Sequence, residues 1–370
     1  MADSQIKIVH IITRFNVGGT ATWLSTLVQQ FAKHNHSSFI LAGIVSEGEK
    51  EDSRFLERNG IRIRTLSKGF NPFADVLAFL QIRRIVKHLS PDIVNTHTSK
   101  AGAIGRLAAW SLGSKRPRVV HTFHGHLLEG YFSKIRVRLI ILIEKFLEIA
   151  TDFFLFSGEK VKRDLNEVKI ATSKPSQLVR PGVYTRNSKL VKNAKKSKDS
   201  FVIGWLGRFE EVKRPDLAVE LSKRMPQLEF RFGGSGSLHA SLVGRVGANA
   251  KFLGWVNSDS FWDECDIAIL TSVNEAMPFS LLEAQSIGIP VITFEAGSAA
   301  EVVEDGKTGF VVKDIGGMER AIKSLCNSPE LYSKMSQASR DFISQAFSPE
   351  RMYKEHEASY RKALKTGSKR

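Results

Sequence analysis

Short apolar runs alternate with stretches of helical periodicity along the chain, and the pattern occurs twice. In the first half the runs fall at 8–12, 39–44, 93–95, 119–122 and 153–156; in the second they fall at 201–206, 228–232, 267–270, 291–294 and 309–312. Short apolar runs separated by stretches of helical periodicity are the pattern of a parallel, doubly wound sheet flanked by helices. The pattern predicts an α/β protein of two Rossmann-like, doubly wound parallel-sheet domains, 1–182 and 183–346, followed by a terminal segment 347–370. That last segment reads as a helix over about 350–365, acidic early and basic late as the helix dipole prefers, crossing back to the first domain. Between the domains lies RNSKLVKNAKKSKDS, whose six cations offer no face to bury, so it reads as an exposed linker. In open parallel sheets ligands bind beyond the carboxyl ends of the strands, and two facing sheets would make one cleft.

Composition narrows the choices. With 370 residues and 42% hydrophobic content the chain can bury two cores, and wholesale disorder is excluded. No apolar stretch is long enough to span a bilayer, and the start MADSQIKIVHII lacks the features of a secretory signal, so a cytoplasmic location is expected. The two cysteines, Cys265 and Cys326, lie far apart and support neither a disulfide framework nor a zinc site. The net charge of +16 is confined to one half: residues 1–200 carry 33 Lys+Arg against 16 Asp+Glu, whereas 201–370 carry 21 against 22. A field so lopsided attracts a polyanion: a nucleic acid, an anionic membrane surface or a phosphorylated substrate.

Candidate chemistry sits where strands end. After the first run comes Gly18-Gly19, a pair that lets the backbone approach a ligand ahead of a helix start. It is not the GxGxxG of dinucleotide sites, and alone it fits a bland turn equally well. After the run at 201–206, Gly207-Arg208 and Lys213 place a guanidinium and an ammonium where they could clamp a diphosphate. Directly after 267–270, Glu275 and Glu283 bracket the expected helix start at Pro278-Phe279-Ser280-Leu281. Carboxylates accept from sugar hydroxyls and helix-start amides favour phosphates, so one ligand carrying both would satisfy the segment. His121, His124 and His126 follow the run at 119–122, and His97 and Lys100 occupy the equivalent place one strand earlier, with Arg106 nearby. Histidines at a strand's carboxyl end can touch a ligand, although each could equally be a satisfied polar residue. The stretch KIRVRLIILIEK (134–145) combines cations with an apolar run, either as an interfacial helix or as a core helix of the first domain.

Taken in order, Gly18-Gly19, GRxxxxK at Arg208 and Lys213, ExxxxxxxE at Glu275 and Glu283, and EVVEDGKTG at 301–309 resemble the retaining GT-B glycosyltransferases of family 4, over nearly the whole chain. The resemblance implies a nucleotide-diphosphate sugar donor held mainly by the second domain, an acceptor held by the first, and no obligatory metal or other cofactor. It implies that Arg208 and Lys213 bind the diphosphate, Glu275 the transferred sugar, Glu283 the ribose, and the amides of Phe279, Ser280 and Leu281 the phosphates. Pro278 stands where many relatives have glycine and supplies no N–H. His124 would bond the donor sugar near the reacting carbon, Gly18 and Gly19 would leave room for the diphosphate, and no protein nucleophile is implied. THTSKAGAIGRLAA with HTFHGH also looks like the bacterial members that build surface polysaccharide on polyprenyl-diphosphate carriers. The acceptor would then meet His97, Lys100, Arg106, His121 and His126, with the basic half drawn to the inner face of the cytoplasmic membrane. Two other readings remain open: a nucleotide-sugar epimerase of similar fold, and a non-catalytic polyanion binder. No nucleic-acid module or aromatic-basic interleaving supports nucleic acid as a partner.

Overall fold

The computed structural model describes residues 4–125, 128, 133–186 and 201–366. Within these, one compact unit takes in the chain up to Gly182 together with the stretch from Pro349 onward, and a second comprises Val183–Ser348.

In the first unit seven strands form one parallel sheet: β1 (Lys7–Arg14), β2 (Ser37–Gly43), β3 (Gly60–Arg62), β4 (Ile93–His97), β5 (Arg118–Phe123), β6 (Phe153–Phe156) and β7 (Ser176–Leu178), in the order β3-β2-β1-β4-β5-β6-β7. The second unit's sheet is also parallel, with β8 (Val202–Leu206), β9 (Glu229–Gly233), β10 (Ala250–Gly254), β11 (Ile267–Leu270), β12 (Val291–Phe294) and β13 (Gly309–Val312) in the order β10-β9-β8-β11-β12-β13. Both orders reverse beside the first strand of their sheet, the switch point at which a parallel sheet opens a crevice. The three strands absent from the sequence reading, β3, β7 and β10, are short, half-buried edge or near-edge pieces without an apolar run.

The period-2 alternation of a strand sends its side chains to opposite faces. Val9 and Ile11 of β1 join Leu41, Val94 and Val119 in a core closed by Ala78, Ile82 and Val86 of the helix Pro72–Leu89 and by Ala101 and Ala108 of the helix Ser99–Trp110. Ile12 turns the other way, toward Leu24 and Val28 of the helix Gly19–Lys33. That second face is completed by the terminal helix Pro349–Lys365, whose Met352, Tyr353, His356 and Tyr360 are buried. Tyr360 accepts a 2.7 Å hydrogen bond from Asn95 of β4, and Tyr353 lies 3.1 Å from Nε2 of His36. In the second unit Ile203, Phe230, Phe232, Ile267, Ile269 and Ile292 pack on Met318, Ile322 and Leu325 of the helix Ile315–Asn327. Among the described residues no helix is long and apolar enough to cross a membrane.

Candidate active site

In the second unit the loops after β8, β11 and β12 are sewn into one surface at the carboxyl edge of the sheet. Thr271, the first residue past β11, accepts from the buried Trp205 indole at 3.0 Å and shares its one hydroxyl proton between the Lys213 and Arg214 carbonyls, at 2.9 and 2.8 Å. The Val273 amide donates to the Val212 carbonyl. On the other side Gly297 has φ +57°, and a Cβ there would stand 2.1 Å from the Glu275 carbonyl oxygen. Only glycine fits that approach, and it allows the Ser298 amide to donate to the same carbonyl at 2.8 Å. Glu275 is therefore held by its backbone before its side chain does anything.

Its side chain is engaged as well. Glu275 Oε1 accepts from Lys213 Nζ at 2.5 Å and from Ser272 Oγ at 2.6 Å, while Oε2 has no hydrogen bond among the described residues. A carboxylate can accept about four hydrogen bonds, so Glu275 keeps acceptor capacity for hydroxyls while its charge is balanced by the ammonium. Arg208, five residues before Lys213, is exposed and makes no side-chain hydrogen bond or ion pair among the described residues. A guanidinium left in water beside an engaged ammonium suits an incoming anion, because none of its five donors must first be released.

The helix Phe279–Ser286 begins at Pro278, which carries no side-chain cap. The Leu281 and Leu282 amides both turn back to the Pro278 carbonyl, at 3.1 and 3.3 Å. Two of the three amides named from the sequence, Phe279 and Ser280, are thus left without a carbonyl acceptor among the described residues; that of Leu281 is already taken. Glu283 is half-buried at the fifth position of this helix. The EVVEDGKTG segment builds the turn into β13: Thr308 accepts from the Glu304 amide and Asp305 from that of Val311.

In the first unit Gly18 has φ +152° and ψ 177°, a conformation reached essentially by glycine alone, and nothing lies within 4 Å of where its Cβ would be. The helix starting at Gly19 has no acidic residue in its first turn. Open space in front of uncapped amides is what a bulky anion requires. Thr13 and Thr98 share a 2.7 Å hydrogen bond across the ends of β1 and β4, and Thr98 is held at φ +64°, outside the regions a β-branched residue prefers.

The histidines behave differently from one another. His124 is half-buried past the end of β5, its ring edge-on to Trp23 at 4.7 Å. His97 is fully buried behind it, with Nδ1 2.8 Å from His124 Nε2, and so cannot meet an acceptor directly. His121 points to the opposite face of the sheet, where it is buried and bonded to Thr96 at 2.8 Å. Arg106 is not at the rim. It is completely buried, donates to the Gly102 carbonyl and pairs with Glu144 at 2.7 Å. The acceptor roles expected of His121 and Arg106 are corrected accordingly: both lie on helix or strand faces turned into the core. Lys100 is tied to Asp75 at 2.6 Å and to the Gly69 carbonyl. His126 lies outside the described residues, as does most of the cationic linker.

Burial holds the seam neutral. His10 and His124 are lowered to about 3, and His356 to about 4, by loss of water around the charged ring, with repulsion from His356 adding to the first two. His97 and His121 lie well below the ordinary value for the same reason. Sequence reading missed His10; the signal was available as the one imidazole inside the apolar run KIVHII.

One surface turns apolar residues outward. On the helix Lys134–Leu147, Ile135, Leu139, Leu142 and Phe146 are exposed beside Lys134, Arg136 and Arg138, and only Glu144 and Leu147 are buried. The core-helix reading of this stretch is thereby excluded. Phe70 and Phe73, at the start of the helix Pro72–Leu89, are 89% and 86% exposed.

Residues 17–187 match the family model described as Glycosyltransferase Family 4, and residues 187–342 match that of Glycosyl transferases group 1. The chain is 27% identical over 339 residues, covering 84% of each chain, to an Escherichia coli UDP-Gal:alpha-D-GlcNAc-diphosphoundecaprenol alpha-1,3-galactosyltransferase. It is 24% identical to the capsular polysaccharide biosynthesis glycosyltransferase CapM of Staphylococcus aureus, over 97% of this chain and 98% of that one. Among solved structures, Anabaena Alr3699/HepE in complex with UDP and glucose superposes with a TM-score of 0.80 at 15% identity, over 97% of this chain and 100% of that one.

Proposed function

The chain belongs to the GT-B glycosyltransferases of family 4, and from that membership we propose that it moves a sugar from a nucleotide-diphosphate sugar to an acceptor with retention of configuration, in bacterial surface polysaccharide synthesis. The observation that carries this reading is the Lys213–Glu275 contact, with Arg208 unengaged in the same loop and the amides of Phe279 and Ser280 on the helix that follows. An ammonium, a guanidinium and two amides meet the diphosphate. Oε2 of Glu275 takes hydroxyls of the transferred sugar and Glu283 takes the ribose; on the first unit, His124 takes a sugar hydroxyl. No metal is required, because the cations supply the positive charge.

In the reaction the bond from the anomeric carbon to the leaving phosphate oxygen breaks, and the acceptor oxygen bonds on the same face. The departing phosphate oxygen takes the acceptor's proton, and no protein nucleophile takes part. Negative charge grows on the diphosphate as the bond stretches, so Arg208 and Lys213 stabilise the transition state more than the ground state. The Escherichia coli relative is named for UDP-galactose and a diphosphoundecaprenol-linked acceptor, and the HepE structure holds UDP. A UDP-sugar and a polyprenyl-diphosphate-linked glycan are therefore the first donor and acceptor to try. Nucleotide release that rises on adding acceptor supports transfer; a sugar nucleotide converted to its epimer without any acceptor would overturn it in favour of epimerisation.

A lipid-linked acceptor brings the enzyme to a membrane. The outward face of the helix Lys134–Leu147 carries both apolar side chains and cations, in a half of the chain with a surplus of 17 positive charges. Each cation near an anionic surface contributes about 1 kcal/mol. The expected result is co-sedimentation with phosphatidylglycerol vesicles at low salt, lost at high salt and weakened by Leu139→Asp. Equal sedimentation with neutral vesicles, or none with anionic ones, would contradict peripheral attachment.

A further inference from the structure

A line of imidazoles runs through the first unit beneath the carboxyl edge of its sheet. His10 of β1 has Nδ1 3.1 Å from Nε2 of His97, and His97 has Nδ1 2.8 Å from Nε2 of His124. All three rings are neutral at ordinary pH, so each carries one N–H and one lone pair, and the state of one ring dictates the state of the next.

The chain can run in two directions. Run inward, His124 donates to His97 and His97 to His10, which leaves the N–H on Nε2 of His10. That atom is buried and has no hydrogen-bond partner. Buried N–H groups without an acceptor are among the rarest features of folded proteins. Run outward, His10 donates to His97 and His97 to His124, and only a bare ring nitrogen is left at His10. The same seam already accommodates such a nitrogen. His356 must donate through Nδ1 to the Met352 carbonyl at 2.8 Å, so its Nε2 is a lone pair, and it too is buried without a partner.

We propose that His10 and His97 are positioning residues that fix His124 in the tautomer with its proton on Nδ1, so that His124 presents a hydrogen-bond donor past the end of β5. This rests on the reading above, in which His124 takes a sugar hydroxyl. The partner it selects there is an oxygen able to accept, a hydroxyl or an acyl carbonyl, and not the ammonium of an unsubstituted amino sugar.

The test is long-range proton–nitrogen correlation on the full chain labelled with nitrogen-15 histidine, assigned with single histidine variants, at neutral pH and without substrate. The expected spectrum has His124 Nδ1 in the protonated range and Nε2 in the bare range. His97→Leu should spread His124 over both tautomers and lower kcat/KM to the fraction that keeps the proton on Nδ1. His97→Gln, whose amide can accept from His10 and donate to His124, should restore both. Protonation on Nε2 in the wild-type chain overturns the proposal, as does an unchanged His124 tautomer in folded His97→Leu. If that variant does not fold, the wild-type spectrum decides alone. Because the spectrum needs no substrate, a chain that transfers no sugar could still pass, which separates failure of this inference from failure of the transferase reading.

Discussion

Lys213→Ala is expected to lower the transfer rate about tenfold to a hundredfold, the equivalent of one charge-assisted hydrogen bond of about 1.5–3 kcal/mol made chiefly in the transition state. It should also lower stability. Lys213 Nζ sits 2.5 Å from Glu275, whose side chain is only 8% exposed. Without the ammonium, a nearly buried carboxylate keeps Ser272 as its one side-chain donor among the described residues. Leaving such a charge uncompensated costs about 1–3 kcal/mol, less than for a fully buried pair because Lys213 is 21% exposed. Adding Glu275→Gln removes the orphaned charge, so the double variant should recover stability without recovering turnover. Kinetics alongside urea unfolding checks both. Wild-type turnover in the double variant would show that the pair is structural only.

The second large effect concerns acid. Five histidines of the first unit, His10, His97, His121, His124 and His356, have folded values below the 6.5 of a free side chain, three of them at about 3 to 4. The unfolded chain takes up these protons near pH 6.5, whereas the folded chain refuses them until much lower pH. Between those limits the unfolded state binds more protons, so stability is full above about 6.5 and falls as pH drops, by about 1.4 kcal/mol per group and pH unit. For His10, His124 and His356 alone, two pH units remove about 8 kcal/mol, comparable with the whole stability of a typical domain. The paired carboxylates Asp52 and Asp152 have values below 3.8 and lose their contribution only in stronger acid. The first unit should therefore unfold near pH 5, ahead of the second, in urea titrations read at successive pH values. Replacing His356 with Gln should flatten the slope; a flat profile between pH 7 and 5 would contradict a neutral seam.

Most of the ten strands legible in the sequence have apolar cores, because burial on both faces leaves little room for polar residues; β9, reading EFRFG, is the exception and alternates. β3 and β7, reading GIR and SQL, hold their places through backbone pairing with one neighbour, and no hydrophobic pattern announces that. The second unit's site was legible because glycine, cations and carboxylates gather where apolar runs stop. Arg106 was not: in sequence it is one more cation of a basic half, and its partner Glu144 lies 38 residues away on another helix. Ser272 bonds Glu275 within one loop, but the roles of Thr271 and Gly297 in seating it exist only as contacts between loops that follow three different strands. Which imidazoles touch the outside and which act through a neighbour was likewise decided by tertiary packing, since His97, His121 and His124 look alike in sequence.

Calorimetric titration of sugar nucleotides, UDP-sugars first and GDP-, ADP- and dTDP-sugars next, into wild type and Arg208→Ala/Lys213→Ala addresses the diphosphate clamp most directly. The expected result is that one nucleotide binds the wild-type chain and that the double variant loses about a hundredfold or more in affinity, two charged contacts being worth at least about 3 kcal/mol. Equal affinity in the two proteins would mean that the diphosphate rests elsewhere and that the clamp does not exist.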